Sequence, residues 1–113
     1  MKFETKLWKR TNKSFATTIP QALLFRLDLS KKYYIEWDYI SKQNKWAVDF
    51  VEKKKQDKLN FYTALWKRSQ RSYATTIPHM VLLHINEEKE YKIEWTFDSK
   101  LKKWMIELRE VVK

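Results

Sequence analysis

LWKRTNKSFATTIP, running from Leu7 to Pro20, returns as LWKRSQRSYATTIP from Leu65 to Pro78, an offset of 58 residues. The offset holds without a gap along the rest of the chain. YIEW at Tyr34 to Trp37 answers KIEW at Lys92 to Trp95, and SKQNKW at Ser41 to Trp46 answers SKLKKW at Ser99 to Trp104. Pairing Phe3 to Glu52 with Phe61 to Glu110 gives 23 identities in 50 positions, so the chain is two copies of one unit. Residues 1–52 form the first repeat, the charged stretch 53–60 (KKKQDKLN) a linker, and residues 61–113 the second repeat. A unit of about 50 residues is marginal as a lone core. The two repeats are therefore expected to share one interior, as a covalent pseudo-dimer with an approximate two-fold axis.

Within each repeat the residue pattern predicts β-β-α-β-β. Phe3, Thr5 and Leu7 alternate with Glu4, Lys6 and Trp8, and Phe61, Thr63 and Leu65 with Tyr62, Ala64 and Trp66, which predicts a first strand. A polar loop, KRTNKS or KRSQRS, then separates it from a second strand at Phe15 to Ile19 or Tyr73 to Ile77. Pro20 and Pro78 suit the first position of a helix. An almost wholly apolar helix is expected to run to about Leu27 and Ile85, sandwiched rather than on the surface. A hairpin follows, Tyr33 to Tyr39 with Trp46 to Phe50, and again Tyr91 to Phe97 with Trp104 to Leu108. The chain has no glycine, so Asn12, Asp28, Asn44 and Asn86 are the residues best suited to left-handed turn positions.

The same zero excludes phosphate-cradling loops, whose backbone needs positions without a Cβ. The absence of cysteine removes disulfides, thiolate metal sites and thiol nucleophiles. No nucleophile, base and oxyanion set is apparent, so no catalytic residue, cofactor or metal is assigned. His79 and His84 are not on one helical face and read as surface or cap residues. Glu36 and Glu94 read as polar-face strand residues, and Thr17, Thr18, Thr75 and Thr76 as ordinary strand residues. Nothing in the sequence supports export or a membrane span, which favours a cytoplasmic, nucleoid-associated location.

Twenty-four Lys and Arg against 14 Asp and Glu give a formal charge of +10, which favours an anionic partner. The candidate contacts are the two loops: Lys9, Arg10, Thr11, Asn12, Lys13 and Ser14, and Lys67, Arg68, Ser69, Gln70, Arg71 and Ser72. Each sets three cations among short hydroxyl and amide side chains, the combination that reaches phosphate oxygens and base edges. Trp8 and Trp66 face away from Leu7 and Leu65. Packing is the simpler role for them, and stacking on a base the alternative. Trp37, Trp46, Trp95 and Trp104 fall at apolar strand positions and read as core or rim.

The segments Thr17-Thr18-Ile19-Pro20 and Thr75-Thr76-Ile77-Pro78, each after a strand and polar loop and before a short apolar stretch and second hairpin, resemble the AbrB/SpoVT/MazE superfamily of swapped-hairpin DNA-binding domains, here in tandem. The resemblance implies a mainly β barrel in which hairpins of the two copies interleave and the first hairpins meet DNA, with the loop cations as the contacts that carry over. Phe15-Ala16 and Tyr73-Ala74 stand where members often carry Gly-Arg. A duplex-DNA binder, regulatory or architectural, is the function expected. The alternatives are an antitoxin-like protein-interaction module acting through the apolar helices, or an RNA or single-strand binder using Trp8 and Trp66.

Overall fold

The computed structural model describes residues 2–53, 61–83 and 85–112, so most of the linker and His84 lie outside the described residues. The chain is mainly β, a nearly closed antiparallel barrel. Its strands are β1 (Lys2–Thr11), β2 (Ser14–Thr18), β3 (Tyr34–Ile40), β4 (Lys45–Val51), β5 (Phe61–Ala64), β6 (Trp66–Ser69), β7 (Ser72–Thr76), β8 (Tyr91–Asp98) and β9 (Lys103–Glu110). Their order across the sheet is β5-β3-β4-β9-β8-β1-β2-β7-β6. β5 and β6 are one strand interrupted at Leu65, whose N–H donates to the Tyr33 carbonyl at 3.2 Å, so the two ends of that order are joined through the chain and the barrel is nearly closed.

The two repeats are interleaved. β1 of the first pairs with β8 of the second, Glu4 opposite Glu94, while β5 of the second pairs with β3 of the first, Glu36 opposite Tyr62. Two pairings cross the pseudo-two-fold axis. In β2–β7 the equivalent residues Thr17 and Thr75 stand opposite each other, and in β4–β9 the equivalent residues Ala47 and Met105 do. Main-chain bonds from Ile19 N to Tyr73 O and from Ile77 N to Phe15 O, both 2.8 Å, extend the first of these seams symmetrically.

Neither repeat can bury its apolar face alone, and the core accordingly draws on both: Leu7, Ile19, Ile35, Trp37 and Val48 pack with Ile77, Ile93, Trp95 and Ile106. Trp37 and Trp95 are fully buried. Trp46 and Trp104 sit at the rim, each against an aromatic residue of the other repeat, Phe61 and Phe3.

The buried tryptophans are held by two matching relays. Trp95 Nε1 donates to Thr5 Oγ1 at 2.8 Å, Thr5 and Thr17 hydroxyls lie 2.8 Å apart, and Thr17 Oγ1 donates to the Lys6 carbonyl at 3.0 Å. Trp37, Thr63, Thr75 and the Ala64 carbonyl repeat the arrangement at 2.8, 2.7 and 2.9 Å. Since the Thr17 proton goes to the carbonyl, the Thr5 hydroxyl must donate to Thr17, which gives the Trp95 indole and both threonine hydroxyls of the relay a partner. Thr17 and Thr75 are thus not ordinary strand residues but the ends of the relays that lock each tryptophan to the central seam.

Four other expectations are corrected. The helix is four residues, α1 (Gln21–Leu24), in the first repeat and a single 3₁₀ turn, His79–Leu82, in the second, so helices are almost absent and the β-β-α-β-β order is not repeated in tandem. Neither has a side-chain N-cap, and a run this short closes too few i→i−4 bonds to offset nucleation. Nor is it sandwiched: Leu23, Leu24, Val81 and Leu82 turn inward, whereas Phe25 is 81% exposed and Leu83 64%. The polar loops are mostly strand, because β1 and β6 continue through the cations and leave only Asn12-Lys13 and Gln70-Arg71 as turns. Of the four residues suited to left-handed backbone only Asn44 has positive φ, 53°, and its counterpart Lys102 follows at 56°. Asp28 and Asn86 instead accept from the N–H two residues ahead, Ser30 and Glu88, at 3.1 and 3.0 Å. Finally, Glu36 and Glu94 are buried, 6% and 7% exposed, because Tyr62 in one case and Arg109 with Lys2 in the other cover the outer face of the strand.

Candidate nucleic-acid interface

The candidate contacts occupy the four-stranded part of the barrel β1-β2-β7-β6. β2 and β7 run antiparallel about the Thr17–Thr75 pair, so the two hairpin tips leave this sheet at opposite ends. Each tip lies four to five residues from that pair, or about 15 Å at roughly 3.4 Å per residue, which sets the tips about 30 Å apart. They are related by the pseudo-two-fold rather than placed side by side.

Each tip is held in the same frame. Thr11 and Ser14 hydroxyls are 2.8 Å apart, with the Lys13 N–H on Thr11 Oγ1 at 3.2 Å. Ser69 and Ser72 are likewise 2.8 Å apart, with the Arg71 N–H on Ser69 Oγ at 3.4 Å. Four of the twelve expected contact residues therefore brace the turns. Lys9, Asn12, Lys13, Lys67, Gln70 and Arg71 are exposed.

Between the tips, the outer face of the sheet is an aromatic and guanidinium platform. Trp8 stands opposite Ala16 and Trp66 opposite Ala74, and both alanines are fully buried beneath the indoles. The two rings meet edge to face across the axis, centroids 6.2 Å apart and planes at 89°. The Arg10 guanidinium lies 4.8 Å from the Trp66 ring centre and donates to Thr76 Oγ1 at 3.2 Å. Arg68 lies 4.7 Å from Trp8 and donates to Thr18 Oγ1 at 3.2 Å. Each arginine is thereby fixed by the other repeat, with a cation–π contact worth roughly 0.5–2 kcal/mol. The rings are committed to this packing. Their Nε1 groups are buried and find no partner among the described residues.

The electrostatics are one-sided. No Asp or Glu occurs between Thr5 and Leu27 or between Lys58 and Asn86, the segments that supply the tips and platform, while Lys6, Lys9, Arg10, Lys13, Lys67, Arg68 and Arg71 all do. Among the described residues none of the six tip and platform cations is ion-paired, whereas Lys2, Lys92, Lys103 and Arg109 on the other side are held by Glu94, Glu4, Asp38 and Glu94 with Glu107. Sequence reasoning located the cations but not this segregation, which is legible as two acid-free runs, each centred on a hairpin. It also missed the Arg–Trp exchange, because Arg10 and Trp66 lie 56 positions apart and only the β2–β7 seam brings them together.

His79 lines a small cleft beside the first tip with Lys13 and Phe15. Among the described residues no group of three His, Asp or Glu side chains is placed to hold a metal, and no helix is long and apolar enough to cross a membrane. Comparison with family models, with curated proteins and with solved structures gave no match to this chain.

Proposed function

We propose that the chain is a binding protein for duplex DNA, a regulator or an architectural protein rather than a catalyst, and that its two hairpin tips and the platform between them are the contact surface. The resemblance to the swapped-hairpin DNA-binding superfamily belongs to this reading. The observation that carries it is the pair of acid-free hairpins whose six cations have no carboxylate partner among the described residues and are arranged about a two-fold axis. A tip separation of about 30 Å is close to the repeat of one duplex turn, roughly 34–36 Å, so both tips meet equivalent grooves on one side of the double helix. Arg10 and Arg68, stacked and hydrogen-bonded before any ligand arrives, lose little freedom on meeting phosphates.

Single strands are the weaker candidate. Base stacking needs open aromatic faces. Trp8 and Trp66 spend theirs on each other and on the arginines. A protein-interaction module is the second reading, favoured by the exposure of Phe25, Met80 and Leu83 next to the short helical turns. Fluorescence anisotropy with a labelled 30-base-pair duplex, the matching single strand and the matching RNA at one salt concentration tests the assignment. The duplex should bind tightest, and a preference for either single strand would refute it.

A further inference from the structure

The two tips share one frame and carry different readers. The hydroxyl pair, the backbone contact inside the turn and the stacked arginine recur on both sides, within a few tenths of an ångström. What the frame presents differs: Asn12-Lys13 at one end, Gln70-Arg71 at the other. The support behind them differs as well. Gln21 Nε2 donates to the Arg71 carbonyl at 2.9 Å, whereas the equivalent position beside Lys13 is taken by His79.

We infer that the chain binds duplex DNA in a single orientation, with the Gln70-Arg71 tip on one half-site and the Asn12-Lys13 tip on a second half-site of different sequence. This rests on the duplex reading above. Arg71 offers a planar fork that matches the N7 and O6 acceptors of guanine, and its main chain is pinned by Gln21, so this tip can hold a bidentate contact. Lys13 offers one rotatable ammonium on a flexible stem and is the poorer match for a planar pair of acceptors. Asn12 and Gln70 carry the same amide, suited to adenine N6 and N7, but at reaches that differ by one methylene, so one spacing does not serve both. A symmetric frame with unlike readers thus converts a two-fold scaffold into a directional one.

Selection from random duplexes tests this with three proteins: the natural chain, T11S/N12Q/K13R, in which both tips read Ser-Gln-Arg, and S69T/Q70N/R71K, in which both read Thr-Asn-Lys. The natural chain should select a site with two unlike halves, a guanine in the half facing Arg71. Each variant should select an inverted repeat of one half, a different half for each. Replacing the Arg71-facing half by a second copy of the other should weaken binding of the natural chain roughly tenfold, about 1.4 kcal/mol. The tip exchanges keep the bracing hydroxyls, and equal thermal midpoints of the three proteins show that the fold is kept. Duplex binding with inverted-repeat selection by the natural chain, or the same site selected by all three proteins, overturns this inference alone. Failure of all three to bind duplex overturns the DNA assignment with it.

Discussion

Replacing Thr17 by Val removes the last hydroxyl of one relay while leaving the side-chain shape nearly unchanged. The substitution breaks two hydrogen bonds, to Thr5 at 2.8 Å and to the Lys6 carbonyl at 3.0 Å, and strands the Thr5 proton in a partly buried site. At roughly 0.5–1.5 kcal/mol net per bond, with more where a polar group is left unpaired, the cost is about 2 kcal/mol. T75V removes the equivalent pair of bonds and should cost the same. Because Thr17 and Thr75 face each other, the double variant should lose about 4 kcal/mol with a coupling of no more than roughly 1 kcal/mol, a large part of the 5–15 kcal/mol that holds an ordinary domain together. T18V is the control: its hydroxyl accepts one exposed bond from Arg68, and it should cost less than about 0.5 kcal/mol. Urea unfolding followed by tryptophan fluorescence measures all four. A loss under about 0.5 kcal/mol for either T17V or T75V, or a T18V loss as large as theirs, would show that the relays do not hold the seam.

Two further outcomes follow from the far side of the barrel. Lys102 sits at φ 56°, where its counterpart Asn44 is better suited and is anchored by the Tyr39 hydroxyl at 2.8 Å, so K102N should stabilise by about 0.5–1 kcal/mol in urea unfolding, and a destabilised K102N would refute the strain. The hydrogen bond from Arg109, and after it Lys2, hold the Glu94 carboxyl below its ordinary 4.5, with Glu4 and Glu107 opposite it in the sheet. A lowered carboxyl contributes stability that is complete above pH 4.5 and fades as the pH falls through the lowered value. The urea midpoint of the natural chain should therefore exceed that of E94Q at pH 7 and converge on it in acid, and a gap that stays constant would rule the ion pair out.

Much of the barrel was legible because duplication makes each strand appear twice with the same alternation. Trp37 and Trp95 read as core for that reason and are fully buried. The helix was overestimated because the run Ala22 to Leu27 is apolar but for Arg26. Apolarity alone does not say how many of its residues find a partner, and Phe25 finds little. The loops were overestimated for the converse reason. Lys9, Arg10 and Thr11 are polar, but the Thr11–Ser14 hydroxyl pair and the ladder to β2 keep them in strand until the last two residues. Glu36 and Glu94 alternate with apolar neighbours as solvent-facing residues do, yet the covering groups come from strands distant in sequence, as with Tyr62 over Glu36. The cations of the interface were visible one by one. Their exchange of aromatic partners across the axis depends on the β2–β7 pairing, which no local pattern encodes.

The most direct measurement is the affinity for a 30-base-pair duplex across a salt series. If Lys9, Arg10, Lys13, Lys67, Arg68 and Arg71 each displace a counterion from a phosphate, log K against log salt concentration has a slope of about −5. Exchanging Lys9, Lys13, Lys67 and Arg71 for alanine should leave the fold intact and reduce the slope to about −2. A slope unchanged by that exchange, or one near zero in the natural chain, would contradict the assignment of this sheet to duplex DNA.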